Sequence, residues 1–197
     1  GTRTETGTRK ETPIDPIHNP NDFLNYDPNK PLPESTNTKN QGMIIKKLCQ
    51  YLTLENKHQA VLPRLQKGIC NPLSTLFTET SLPEWQTMID NISAWNGNKD
   101  DLTTALRESF ERIWTYVDRY ELHPDKRDSL FVGDNLTALL ETQPTHLILA
   151  NPWHAIAIKW QPDTQQFAIY DPNFAGGVKM CLPAEAPAII KNCLGSL

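Results

Sequence analysis

Beyond residue 40 the apolar positions follow two rules. From Gln41 to about Leu140 they recur every three or four residues, the spacing of one helix face. After Pro144 they alternate, the spacing of one strand face. Before residue 41 there is neither period. Residues 1–40 hold six of the sixteen prolines, many Thr and Asn, and few large apolar side chains, and predict a flexible or extended arm. A linker from a larger protein is the plain reading; Phe23, Leu24 and Tyr26 are the residues suited to anchor it. Residues 41–197 then form one domain.

Within that domain Met43, Ile44, Ile45, Leu48, Tyr51 and Leu52 predict a first helix. His58 to Lys67 reads as connecting material broken by Pro63. A short helix follows from about Asn71 to Phe77. Ser81-Leu82-Pro83-Glu84 has the form of a capping box, and Trp85, Met88, Ile89 and Ile92 line the helix it opens, which ends before Asn96-Gly97. Asp100 or Asp101 is the expected cap of a longer helix carrying Leu102, Leu106, Phe110, Ile113, Trp114 and Val117, stopped by His123-Pro124-Asp125. Aromatics at this spacing are core rather than a cofactor box. Asp134 is expected to cap a short helix through Leu136, Leu139 and Leu140. His146 to Ala150 reads as a buried strand. His154 to Trp160 alternates, a polar turn spans Gln161 to Gln166, and Phe167 to Asp171 returns. Gly176-Gly177 leads into a strand from Val178 to Leu182, with a short helix or coil after it. Helices first and an antiparallel sheet afterwards predict an α+β fold.

Candidate chemistry begins at Gly68-Ile69-Cys70-Asn71-Pro72. Gly68 permits a tight or left-handed backbone, and Pro72 suits the first turn of a helix. A thiol at a helix start feels the positive end of the helix dipole, which favours thiolate, the nucleophilic form. The hairpin supplies what such a thiol needs. If Trp160 pairs with Phe167, Asp171 falls opposite Ile156 and diagonal to His154 on one face. The carboxylate would orient the imidazole, and the imidazole would take and return the thiol proton. Oxyanion donors are the Cys70 amide and, as a side-chain candidate, Gln66, which reads equally as a surface glutamine. The plain readings are small core for Cys49, Cys181 and Cys193, and structural roles for His18, His58, His123 and His146.

The formal charge of −4 over 197 residues argues against nonspecific nucleic-acid binding. No run approaches the roughly 18 apolar residues of a membrane helix. No secretory signal pattern is visible, and Gly1-Thr2-Arg3-Thr4 reads as the start of an excised piece. The four cysteines show no CxxC spacing, which argues against a structural zinc or a dense disulfide framework. A reducing compartment is the simplest reading, with Cys181–Cys193 as the one bridge considered.

Three segments together resemble the papain-like cysteine proteases, most closely the YopT/AvrPphB type of bacterial effectors and toxin domains. They are Gly68-Ile69-Cys70-Asn71-Pro72-Leu73-Ser74, His154-Ala155-Ile156-Ala157-Ile158 and Tyr170-Asp171-Pro172-Asn173-Phe174. The resemblance spans roughly residues 41–182 and leaves the arm outside it. It implies a papain-like fold, with a helical N-terminal part packed on a C-terminal antiparallel sheet. It implies Cys70 as nucleophile, His154 as base and Asp171 as its orienting partner, with no metal and no cofactor. It further implies secretion into a host cell, a host protein as substrate, and an arm free to engage a partner or chaperone. Deamidation, transglutamination and acyl transfer use the same trio, and a binding module on a retained fold is the non-enzymatic alternative.

Overall fold

The computed structural model describes residues 38–122, 130–131 and 136–195. The expected arm lies outside them except for Thr38, Lys39 and Asn40, which belong to the folded part. Asn40 is buried, and its side chain caps the first helix, α1 (Gln41–Leu54), by accepting from the Met43 amide at 3.1 Å. The connection read as broken by Pro63 contains a one-turn helix, α2 (Leu62–Leu65). Pro63 stands in its first turn, where a missing N–H costs nothing. The cysteine helix, α3 (Cys70–Thr78), begins on Cys70 itself. In α4 (Leu82–Ala94), Ser81 accepts from the Glu84 amide and its hydroxyl donates to the Glu84 carboxylate.

The long helix, α5 (Thr104–Val117), departs from expectation at its start. Thr103 caps it, accepting from the Leu106 amide at 3.1 Å. Asp100 and Asp101 instead lie in a separate 3-10 turn, Lys99–Asp101, ahead of the cap position Thr103 and too early to reach the free amides. A π-helical turn, Asp118–Leu122, continues α5. The His123-Pro124-Asp125 stop and the Asp134 cap lie outside the described residues. The short helix that Asp134 was to open is α6 (Leu136–Glu141), and α7 (Ala186–Leu194) closes the described chain.

Five strands form one sheet in sequence order: β1 (Leu130–Phe131), β2 (His146–Ala150), β3 (Ala155–Gln161), β4 (Gln166–Tyr170) and β5 (Val178–Cys181). The fold is therefore α+β, with β2 to β5 antiparallel and the unforeseen β1 added parallel to β2. Trp160 pairs with Phe167, the register on which the hairpin geometry depends.

The sheet is covered on both faces. Ile156, Ile158, Trp160, Phe167 and Ile169 pack with α6 and α7. Ala157, Ala168 and Tyr170 face the larger helical core, where Tyr170 stacks on Phe77 and meets Trp85 edge-on. Ala150 and Ala155 lie beside Cys70. The strand sequence His154-Ala155-Ile156-Ala157-Ile158 thus sends its isoleucines to one core and its alanines toward α3. Side chains that small let α3 approach the sheet closely, and Ser74 on α3 donates to the Ala155 carbonyl at 3.2 Å. This contact brings the first residue of α3 to the first residues of β3. Among the described residues, no helix is long and apolar enough to cross a membrane.

Candidate active site

Cys70 is the first residue of α3, behind a loop turned by Gly68 at φ 104°. Only glycine takes that backbone without strain, and a Cβ there would also sit 3.2 Å from the Gln41 side-chain oxygen. Cys70 is partly exposed, whereas Cys49, Cys181 and Cys193 are buried. All four are free thiols, so the Cys181–Cys193 bridge is not formed.

His154 precedes β3 in an Asx turn. The Asn151 side-chain oxygen accepts from the Trp153 amide at 2.8 Å and the His154 amide at 2.7 Å. Its amide nitrogen donates to the Leu194 carbonyl, tying the turn to the end of α7. The imidazole donates from Nε2 to Asp171 Oδ1 at 2.6 Å, and both side chains are buried. Its other neighbour is Cys70, close enough for the imidazole to act on the ionisation of the thiol. With Nε2 taken by Asp171, Nδ1 is the ring nitrogen left for the thiol. Asp171 directly follows β4 and also accepts from the Asn173 amide at 2.9 Å and from the Cys193 thiol. The carboxylate is thus held on several sides, as a buried charge must be.

The electrostatics follow from these contacts. Burial pushes the Cys70 thiol up. The hydrogen bond and charge of His154 and a backbone hydrogen bond at Ala155 outweigh it, against a smaller opposing push from Glu121, and hold the thiol below its ordinary value. Burial alone would lower His154, but the Asp171 charge and hydrogen bond and the contact with Cys70 carry it up to about 9. Burial raises Asp171, and the His154 charge and hydrogen bond, the Asn173 amide and the Cys193 thiol bring it below the usual carboxylate value. The trio therefore favours thiolate, imidazolium and carboxylate together.

The structure brings Cys70, His154 and Asp171 together: His154 is hydrogen-bonded to Asp171, and Cys70 lies close enough to the imidazole for its charge to act on the thiol. Gln66 lies at the C-terminal end of α2, partly buried, two residues before Gly68. His58 stacks on Trp114 with ring centroids 4.1 Å apart, and His146 opens β2 on the surface. His18 and His123 fall outside the described residues. Sequence reasoning passed over Asn151, whose Asn-Pro pair is a turn signal in plain view, and Cys193 and Gln41, which no local pattern marks.

Trp153, the residue before His154, is 57% exposed. A cavity of about 360 Å³ abuts Asp171 and Cys193 but includes neither Cys70 nor His154 in its lining. Among the described residues, no group of three or more His, Cys, Asp and Glu side chains is arranged to hold a metal ion. No protein-family model, no curated protein and no solved structure matches the chain.

Proposed function

We propose that this chain is a thiol hydrolase of papain-like fold that cleaves an amide bond in a protein substrate. The observation that carries the reading is the buried, hydrogen-bonded His154–Asp171 pair set beside Cys70, the one partly exposed cysteine. In the proposed reaction the Cys70 thiolate attacks the substrate carbonyl carbon. The imidazolium passes its proton to the departing amine as the C–N bond breaks, leaving a thioester. Water, deprotonated by the neutral imidazole, then cleaves the thioester and restores the resting pair. Asp171 fixes the ring and stabilises its cationic form. The Cys70 amide is the backbone oxyanion donor in this scheme, with Gln66 the side-chain candidate.

The resemblance of the three motifs extends the proposal to a secreted bacterial effector acting on a host-cell protein. A deamidase, transglutaminase or acyltransferase would share the thioester and differ only in donor or acceptor. The test is incubation of the wild-type protein and Cys70→Ala with a host-cell lysate, followed by mass spectrometry. New N-termini that vanish in the variant support proteolysis. A +1 mass change at glutamine or asparagine reassigns the trio to deamidation, and a joined amine or acyl group to transfer. Turnover that survives in Cys70→Ala overturns the proposal. No turnover, with Cys70 no faster than an ordinary thiol toward iodoacetamide, replaces it with a binding module on this fold.

A further inference from the structure

Gln41 is the first residue of α1, far from the trio in sequence, yet it is 2% exposed and spans the two halves of the site. Its Oε1 accepts from the Ile69 amide at 2.8 Å, and Ile69 is the residue before the nucleophile. Its Nε2 donates to Asn173 Oδ1 at 2.7 Å. The Asn173 amide in turn donates to Asp171 Oδ1, the oxygen that also receives His154. The Gln41 backbone amide donates to the Pro172 carbonyl at 2.5 Å, and the Lys39 amide to the Ala175 carbonyl at 2.6 Å, so the chain before α1 lies along the acid's own turn.

We propose that Gln41 is the positioning residue that sets the spacing between the Cys70 loop and the Asp171 turn. The inference rests on the thiol-hydrolase reading of the trio and deepens it. The side-chain hydrogen bonds of Gln41 go to Ile69 on one side and Asn173 on the other, and through them it acts on the three reacting side chains. Few side chains meet this requirement. One short planar group must accept from a backbone amide and donate to a side-chain oxygen in opposite directions, which an amide does and a methyl or ammonium group does not. The same contact adds to the backbone reason for glycine at position 68, because a Cβ there would sit 3.2 Å from Oε1.

The test compares Gln41→Met, Gln41→Glu and Asn173→Ala in the full chain. Its readouts are the pH dependence of Cys70 alkylation by iodoacetamide, thermal melting and, once a substrate is identified, kcat and KM. Gln41→Met keeps the length and removes both hydrogen bonds. We expect its alkylation midpoint to rise by about one pH unit. A displacement of about 1 Å at the site costs on the order of 10²-fold in kcat, with KM within a few-fold. Gln41→Glu keeps the acceptor for Ile69, and a rotated Asn173 amide can donate to it, so it should recover most of the profile. Asn173→Ala cuts the bridge from its other end and keeps the backbone hydrogen bond to Asp171. It should move the midpoint the same way even if Gln41→Met fails to fold. A lowered melting temperature with an unmoved alkylation profile in Gln41→Met, or in Asn173→Ala where the first variant does not fold, overturns the inference. Failure of the underlying reading looks different: the wild-type thiol itself would then titrate as an ordinary cysteine.

Discussion

Cys49 and Cys70 stand on helices that share one apolar core, and their surroundings drive them in opposite directions. Cys49, fully buried in α1, has only apolar packing around it, and burial pushes its thiol far above the ordinary value. Cys70 also pays for desolvation, but His154 and the Ala155 backbone more than offset it. Helix membership is common to both, so it does not make a thiol reactive. What separates them is a cation brought by the start of β3 and an opening to solvent.

The strongest way to break this contrast is to remove the cation. His154→Ala should lower turnover by about 10⁶-fold, the scale of losing a triad histidine, and should return Cys70 to ordinary thiol behaviour. It also strands Asp171 in the interior. Breaking a buried pair from one side costs about 3 kcal/mol or more, measurable as a shift in the denaturation midpoint. That loss should shrink in acid, where a protonated Asp171 needs no counter-charge.

The contrast itself is measurable by alkylation. At pH 6, iodoacetamide should modify Cys70 at least about tenfold faster than Cys49, since a larger thiolate fraction is only partly cancelled by lower nucleophilicity. Peptide mapping after a brief exposure reads both sites at once, and equal labelling would erase the distinction.

A finer adjustment is Asp171→Asn. With the pair poised as thiolate and imidazolium, reactivity should persist until His154 loses its proton near pH 9. Without the carboxylate, that upper limb should fall toward the ordinary histidine value of about 6.5, costing on the order of tenfold at neutral pH. In the wild type the same shift stabilises the fold. The contribution is complete below about pH 6.5, the unfolded value, and is lost as pH rises through about 9. An unmoved limb would mean that Asp171 does not set the charge of His154.

Much of this site was legible because it is built from local regularities. Cys70 comes two residues after a glycine at a helix start, and His154 and Asp171 flank neighbouring strands, just before β3 and just after β4, in a register set by a short polar turn. What was not legible depends on contacts between remote segments. Gln41 meets Asn173 across 132 residues, and nothing near Gln41 marks it apart from other polar residues at helix starts. Cys193 reads as packing until α7 is folded against Asp171. Two departures are local: Pro63 opens a helix where the pattern predicts a break, and Thr103 rather than an aspartate caps α5, because a threonine offers a weaker signal. The strand β1 has only two residues, too few to show a period.

The alanines of β2 and β3 act as shims. Their methyl groups set the clearance between sheet and α3, and with it the distance from Cys70 to His154. A bulkier hydrocarbon at Ala155 or Ala157 would jack the helix outward and carry the sulfur away from its base. Tolerance to change should therefore be poorest where the side chains are smallest.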